Sequence, residues 1–238
     1  MGSYTWGKIL GNADNTTGYF LDSTGNNNSN TFSPQDPNNL RAERSLSFFD
    51  VRQRFVASYV LDLPFGKGQR FLNGATGVEN ALSGGWGVNG ITTFQTGFPI
   101  SIGYSGSTGI STYFGGGNPR PNYTAGCPKS IGGSSQSRLN QWFNTSCFTA
   151  PAYWGYGDEP RADSSLTNAG VANYDFAVFK NTHVRERFVV QFRTEIFNLF
   201  NRVQFAAPNS VLNSGSFGIV SGQSNNPRLF QFALRLSY

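Results

Sequence analysis

Charge is scarce in this chain: Asp, Glu, Lys and Arg make up 13% of its 238 residues, against about a quarter in an ordinary soluble domain. Long hydrophobic runs are missing too. No stretch of 18 or more apolar residues occurs, so no transmembrane helix can be drawn and any crossing of a bilayer falls to strands. The opening MGSYTWGKIL has no basic region followed by an apolar one, so it is not a secretory leader; for an exported protein that leader is expected upstream. Histidine occurs once and cysteine twice, too few for a His/Cys metal centre. The net charge of +5 is spread over 18 basic residues that stand singly and never form a run, which argues against a nucleic-acid partner.

Aromatics reach 15%, glycine occurs 29 times, and both are organised. From Phe49 to Phe65 the odd positions are mostly apolar, including Phe55, Tyr59 and Leu61, while the even ones include Asp50, Arg52, Arg54 and Asp62. From Trp86 to Tyr104 the even positions carry Val88, Phe94, Ile100 and Ile102 against Asn89, Thr93 and Gln95. The same period of two runs through Tyr174 to Val178, Phe188 to Ile196 and Phe230 to Tyr238, and a short first strand is expected around Tyr4 to Leu10. Strands this long exceed the five or six residues usual in a sandwich and suit a tilted span of roughly 9 to 11 residues.

The connections alternate as well. Residues 11–47, 105–170 and about 202–227 are long and rich in Asn, Gly, Ser and Pro, whereas the link around His183 to Glu186 is tight. Pro64 to Gly85 is intermediate, with a helical turn expected around Val78 to Leu82. Long loops on one side and short turns on the other are the asymmetry of outer-membrane barrels. The expected fold is therefore all-β, an antiparallel up-and-down meander of about six long strands. Single-chain barrels begin at about eight strands, and an open edge in lipid leaves backbone groups unsatisfied. The whole of residues 1–238 is thus expected to be one part of a larger transmembrane barrel.

Candidate residues fall into four groups. The polar alternates Arg52, Arg54, Asp62, Gln95, Gln191, Arg193, Glu195 and Arg235 form one face, to be read either as lumen lining that meets a solute or as wet wall residues bonding one another. Trp86, Tyr59, Phe65, Tyr104 and Phe188 are candidates for interfacial girdles or for cross-strand packing. In the long central loop, Trp142, Trp154 and Tyr156 either stack on a ligand or pack the loop into a cap. Cys127 and Cys147 lie in the same Gly-rich stretch and suit a loop-closing disulfide, hence an oxidising compartment. His183 is placed in the tight turn, with no nucleophile or orienting group nearby, so no catalytic residue is assigned. Asp14, Asp22, Asp158 and Glu159 lack the spacing of a calcium loop, and no metal or cofactor is expected.

Four stretches, LRAERSLSFFDVRQRFVASYVLDLPFGKG, GGWGVNGITTFQTGFPISI, NYDFAVFKNTHVRERFVVQFRTEIFNLFN and PRLFQFALRLSY, occur in the order in which they resemble the end of TonB-dependent receptors, most closely the Oar-like branch. That resemblance implies a 22-stranded barrel in the bacterial outer membrane, with a plug and a TonB box in an N-terminal region not present here. It also implies solute transport, outer-membrane lipid as surroundings, and TonB as a partner only through that missing region. Phe232, Leu234, Leu236 and Tyr238 resemble the terminal signal read by the barrel-assembly machinery. Two other readings stand beside it: a passive porin or structural barrel, and a secreted glycan-binding β-sandwich whose phenyl-rich face would be buried between sheets.

Overall fold

The computed structural model describes residues 1–12, 34–36, 38–109, 119–184 and 188–238. Six strands form one sheet: β1 (Gly2–Trp6), β2 (Gln53–Asp62), β3 (Trp86–Gln95), β4 (Val171–Val184), β5 (Phe188–Phe197) and β6 (Leu229–Ser237). Each pairs antiparallel with its neighbour in the chain, so the sheet order is the chain order. All three long connections join strand ends on one side of this meander; the link from residue 63 to 85 and the short step from β4 to β5 join strand ends on the other. The fold is the expected all-β wall.

Register decides what the alternation means. Tyr4 stands opposite Phe55, Phe55 opposite Phe94, and Phe94 opposite Ala172. Further along, Val88 pairs with Val178, Val178 with Thr194, and Thr194 with Phe232. Directly paired residues point to the same side of a sheet, so the apolar set of every strand joins a single face. A slip of one residue anywhere would have interleaved the two sets. Two glycines let rings lie flat on the sheet. A Cβ at Gly90 would stand 2.6 Å from the Tyr59 hydroxyl, and one at Gly87 would stand 2.3 Å from the Phe179 ring.

Among the described residues the tightly packed core lies in the long connections, not under the sheet. Ile100, Ile102, Trp142, Phe143, Cys147, Phe148, Leu166 and Val220 form it, drawn from two of the three connections. Short pairings tie the pieces into a cap: Leu10–Gly11 with Ser45–Leu46, Pro99–Ile100 with Asp163–Thr167, and Gly103–Tyr104 in parallel with Val211–Leu212. Backbone bonds from Trp142 to Gly218 (2.7 Å) and from Val220 to Leu139 (2.8 Å) stitch the second connection to the third.

Four expectations need correction. The first strand, expected around Tyr4 to Leu10, is Gly2–Trp6, and Leu10 pairs with Leu46 in the cap instead. The strand read as Trp86 to Tyr104 ends at Gln95. At Gly97 the backbone passes so close to Asn168 that a Cβ would sit 1.9 Å from its carbonyl oxygen, and the chain turns there to send Ile100 and Ile102 into the cap core. Their alternation belongs to the cap. The strand read from Phe49 likewise begins at Gln53, because Asp50 is taken up by the Ile9 amide at 2.6 Å. His183 is not in the turn but in β4, opposite Val189, because the ladder continues to Val184. A helix, α1 (Gly77–Ser83), stands where a helical turn was expected.

Candidate functional site

The wall has two chemically different faces. On the apolar face Phe230, Phe232, Leu234 and Leu236 from β6 continue the row begun by Tyr4 and Trp6, and Leu234 is 75% exposed. A continuous apolar surface of this kind is tolerable against lipid and an aggregation hazard against water. Toward the cap end its aromatics touch in series: Phe55 stacks on Phe94 at 6.3 Å, Phe94 meets Tyr174 edge-on at 5.4 Å, and Tyr174 meets Phe200 at 4.8 Å. At the other end stand Trp86 and Phe188, the first residues of β3 and β5. From Phe94 to Trp86 the strand covers about 26 Å at about 3.3 Å per residue. At a tilt of about 40° that is about 20 Å of height, near the apolar band of about 25 Å in outer-membrane barrels.

Of the girdle candidates, Trp86, Phe65 and Phe188 lie at the short-turn end, while Tyr59 lies mid-wall over Gly90. Tyr104 is outside the wall altogether, paired with Leu212 in the cap, because β3 has already ended. The cap-side row through Phe94, Tyr174 and Phe200 was missed. Each belongs to an apolar set or loop entry, but only the register sets them side by side.

The opposite face carries the polar alternates. Arg54, Asp62, Gln95, Gln191, Arg193, Glu195 and Arg235 all project to this side by register. Arg193 pairs with Glu195 at 2.7 Å and reaches Asn89 at 3.5 Å; Gln191 donates to Asn181 at 2.8 Å. Asn173 donates to Asp175 at 2.8 Å. Wall residues thus bond one another both along a strand, as Arg193 with Glu195 and Asn173 with Asp175, and across strands, as Gln191 with Asn181 and Arg193 with Asn89. Arg52 sits just before β2, where it pairs with Asp50 at 3.4 Å at the junction with the cap. A few apolar residues share this face, and Ala177 (3% exposed) and Phe179 (8%) are buried among the polar ones.

Among the described residues the cap holds two buried ionic clusters. Arg120 grips Glu43 through both carboxylate oxygens at 2.9 and 2.7 Å; the Gln35 amide donates to the same carboxylate at 3.1 Å, and the Gln35 side-chain oxygen accepts the Arg120 amide at 2.7 Å. In the second, Lys129 donates to Glu159 at 2.7 Å and Asp163 at 2.6 Å, and lies 3.9 Å from the centre of the Tyr123 ring. Burial, with Asp163 alongside, pushes the Glu159 carboxyl up to about 8. Burial works the same way on Asp163, but hydrogen bonds from Glu159, Lys129 and Ser165 outweigh it and hold that carboxyl below its usual range. Lys129 is destabilised by burial and more than compensated by its two acidic partners, so it is held above the usual lysine value. No local pattern announces these pairs, since Glu43 and Arg120 are 77 residues apart.

The loop candidates separate. Cys127 and Cys147 are joined in a disulfide with Cα atoms 5.5 Å apart, Cys147 inside the cap core. Trp142 is 2% exposed, donates to the Thr167 carbonyl at 2.8 Å and is covered by Arg138, so it packs the cap and offers no surface to a ligand. Trp154 is 51% exposed, edge-on to Tyr153 at 5.4 Å, and Tyr156 is exposed beside them. Asp158 accepts the Tyr123 amide at 2.6 Å, while Asp14 and Asp22 lie outside the described residues. Phe232, Leu234, Leu236 and Tyr238 lie bare on the apolar side of the terminal strand.

Residues 1–231 match the family described as outer membrane beta barrel domain. Searches of curated proteins and of solved structures give no match.

Proposed function

The chain belongs to the outer membrane beta barrel domain family, its place is the bacterial outer membrane, and from that premise we propose that it is a wall segment of a TonB-dependent transporter that passes a solute without covalent chemistry of its own. The observation that carries the reading is the segregation of two faces across six register-matched strands. One face meets lipid and the other a wet interior. Among the described residues β1 and β6 each have a partner on one side only. Open ladders are unstable in lipid, so further strands complete the barrel. The likeness of four ordered stretches to TonB-dependent receptors supplies the transporter class, with TonB reached through a region outside these residues. The assembly machinery reads Phe232, Leu234, Leu236 and Tyr238.

The test is liposome swelling with the complete gene product, using arabinose, sucrose and maltotriose as probes, together with retention on the immobilised periplasmic domain of TonB. A gated transporter is expected to leave the vesicles closed and to be retained. Rapid swelling without retention overturns the transporter reading and makes the barrel a passive porin.

A further inference from the structure

The link from residue 63 to 85 is built rather than slack. Asn80 accepts the Lys67 amide at 2.7 Å, Asn73 accepts that of Gly68 at 3.0 Å, and Phe65 lies against Phe71 with ring centres 5.6 Å apart. At Gly66 (φ +107) a Cβ would stand 2.6 Å from the Gly84 Cα, so the two ends of the link touch. A seven-residue helix does not persist alone in water. Here α1 is held at its end by two side chains of the apolar face. The Trp86 indole donates to the Leu82 carbonyl at 2.8 Å, and Lys180 donates to Leu82 at 3.2 Å and Gly84 at 2.6 Å while lying over the Trp86 ring.

Those grips fix where the helix sits. Trp86 and Lys180 are register partners on the side of the wall that carries Val88 and Val178. The helix is thus moored beside the lipid-facing surface at the short-turn end. Its Gly77, Asn80 and Ala81 line a cavity of about 410 Å³ against the strand ends. Val78 and Leu82, one helical turn apart and turned away from that cavity, are 75% and 68% exposed. Elsewhere in the link Phe65, Phe71 and Leu72 are exposed as well, Arg70 lies over the Phe71 ring at 5.6 Å, and Lys67 is exposed at the mouth of the cavity beside Phe65. Large apolar side chains with basic neighbours and a tryptophan at the rim match a headgroup layer, where the apolar parts enter the acyl boundary and the cations meet phosphate.

We infer that the 63–85 link is an interfacial anchor that docks α1 on the glycerophospholipid headgroup layer at the short-turn end of the wall. The inference rests on the wall reading above and extends the lipid contact beyond the strands. Continuity with the apolar face through Trp86 and Lys180 selects lipid over a protein partner. The anchor holds the β2–β3 turn at a set depth.

Both native cysteines are bonded to each other, so an added cysteine is a single labelling site. Nitroxides at Val78→Cys, Leu82→Cys, Glu79→Cys and Thr194→Cys are compared in the complete gene product, with any cysteine outside residues 1–238 replaced by serine, in nanodiscs of mixed phosphatidylcholine and phosphatidylglycerol. Collision with oxygen relative to a water-soluble nickel complex is expected to be severalfold higher at 78 and 82 than at 79, approaching the value at 194. Lys67→Glu with Arg70→Glu is expected to lower quenching of a fluorophore at 82 by spin-labelled phosphatidylglycerol severalfold, without matching loss for phosphatidylcholine. Nickel access at 78 and 82 equal to that at 79, with 194 still in lipid, overturns the anchor alone. Protection of 78 and 82 from both reagents also overturns it, in favour of a protein cover. Nickel access at 194 overturns the wall reading itself.

Discussion

Thr92 and Thr93 are adjacent on β3 and point to opposite faces. Thr92 lies between Ala57 and Tyr174 on the apolar side, and Thr93 lies between Val56 and Asn173 on the polar side. Replacing either with Arg is the same chemical change at the same height, so the difference between Thr92→Arg and Thr93→Arg reports the environment alone. Thr92 is two residues from Phe94 in the cap-side aromatic row, which puts it about 5 Å below that row at about 3.3 Å per residue and a tilt of about 40°. Arg facing lipid costs about 2–4 kcal/mol at the midplane and about 0–1 near the interface. At this depth we expect about 2 kcal/mol for Thr92→Arg, close to a thirtyfold shift in the folding equilibrium, and less than about 0.5 kcal/mol for Thr93→Arg. Guanidinium titrations in phospholipid vesicles, read by tryptophan emission and by the gel mobility of unheated samples, measure both. Equal costs, or a larger cost at Thr93, would refute the assignment of faces.

The cap is expected to weaken as pH rises. Glu159 is held up at about 8 against an ordinary 4.5, so the folded cap keeps a proton that the unfolded chain has released. Its contribution is full below about pH 4.5 and drains away up to about pH 8, by up to about 5 kcal/mol at about 1.4 kcal/mol per pH unit. The low Asp163 value acts with the opposite sign, but only below its ordinary 3.8, and Lys129 acts only above 10.5. Hydrogen exchange across residues 119–170, corrected for intrinsic rates, should show this slope, and Glu159→Gln should flatten it; an unchanged slope in the variant rejects Glu159 as its source. Trp142→Ala is expected to cost the cap about 3–5 kcal/mol as a core truncation, whereas Trp154→Ala should stay within about 0.5 kcal/mol. The reverse order in protease resistance of the cap would mean that the exposed aromatics carry its packing.

Much of the wall was legible because a two-faced strand writes its environment into every second residue. The polar set from Arg54 to Arg235 could be read one strand at a time, and the register merely collected it. Alternation misled where two environments followed one another without a change of period. Ile100 and Ile102 continue the pattern of Trp86 to Phe94, yet they fill the cap, because the bend at Gly97 leaves no mark in hydrophobicity. Trp142 and Trp154 sit in similar surroundings in the sequence and part company only through contacts such as the Trp142 amide with Gly218. The ionic clusters were invisible for the same reason, since Gln35 reaches Gly157 across 122 residues.

The Cys127–Cys147 bond closes a ring inside one connection, while the contacts that bind the connections to one another, such as Glu43 with Arg120 and Trp142 with Gly218, are reversible. A covalent tie between two connections would shackle strands before they had met. This one shackles none: the ring can close early, and each strand stays free to find its neighbour and correct a wrong pairing. The cap then latches only when the right strands have brought its halves together, which makes the latch a late check on assembly.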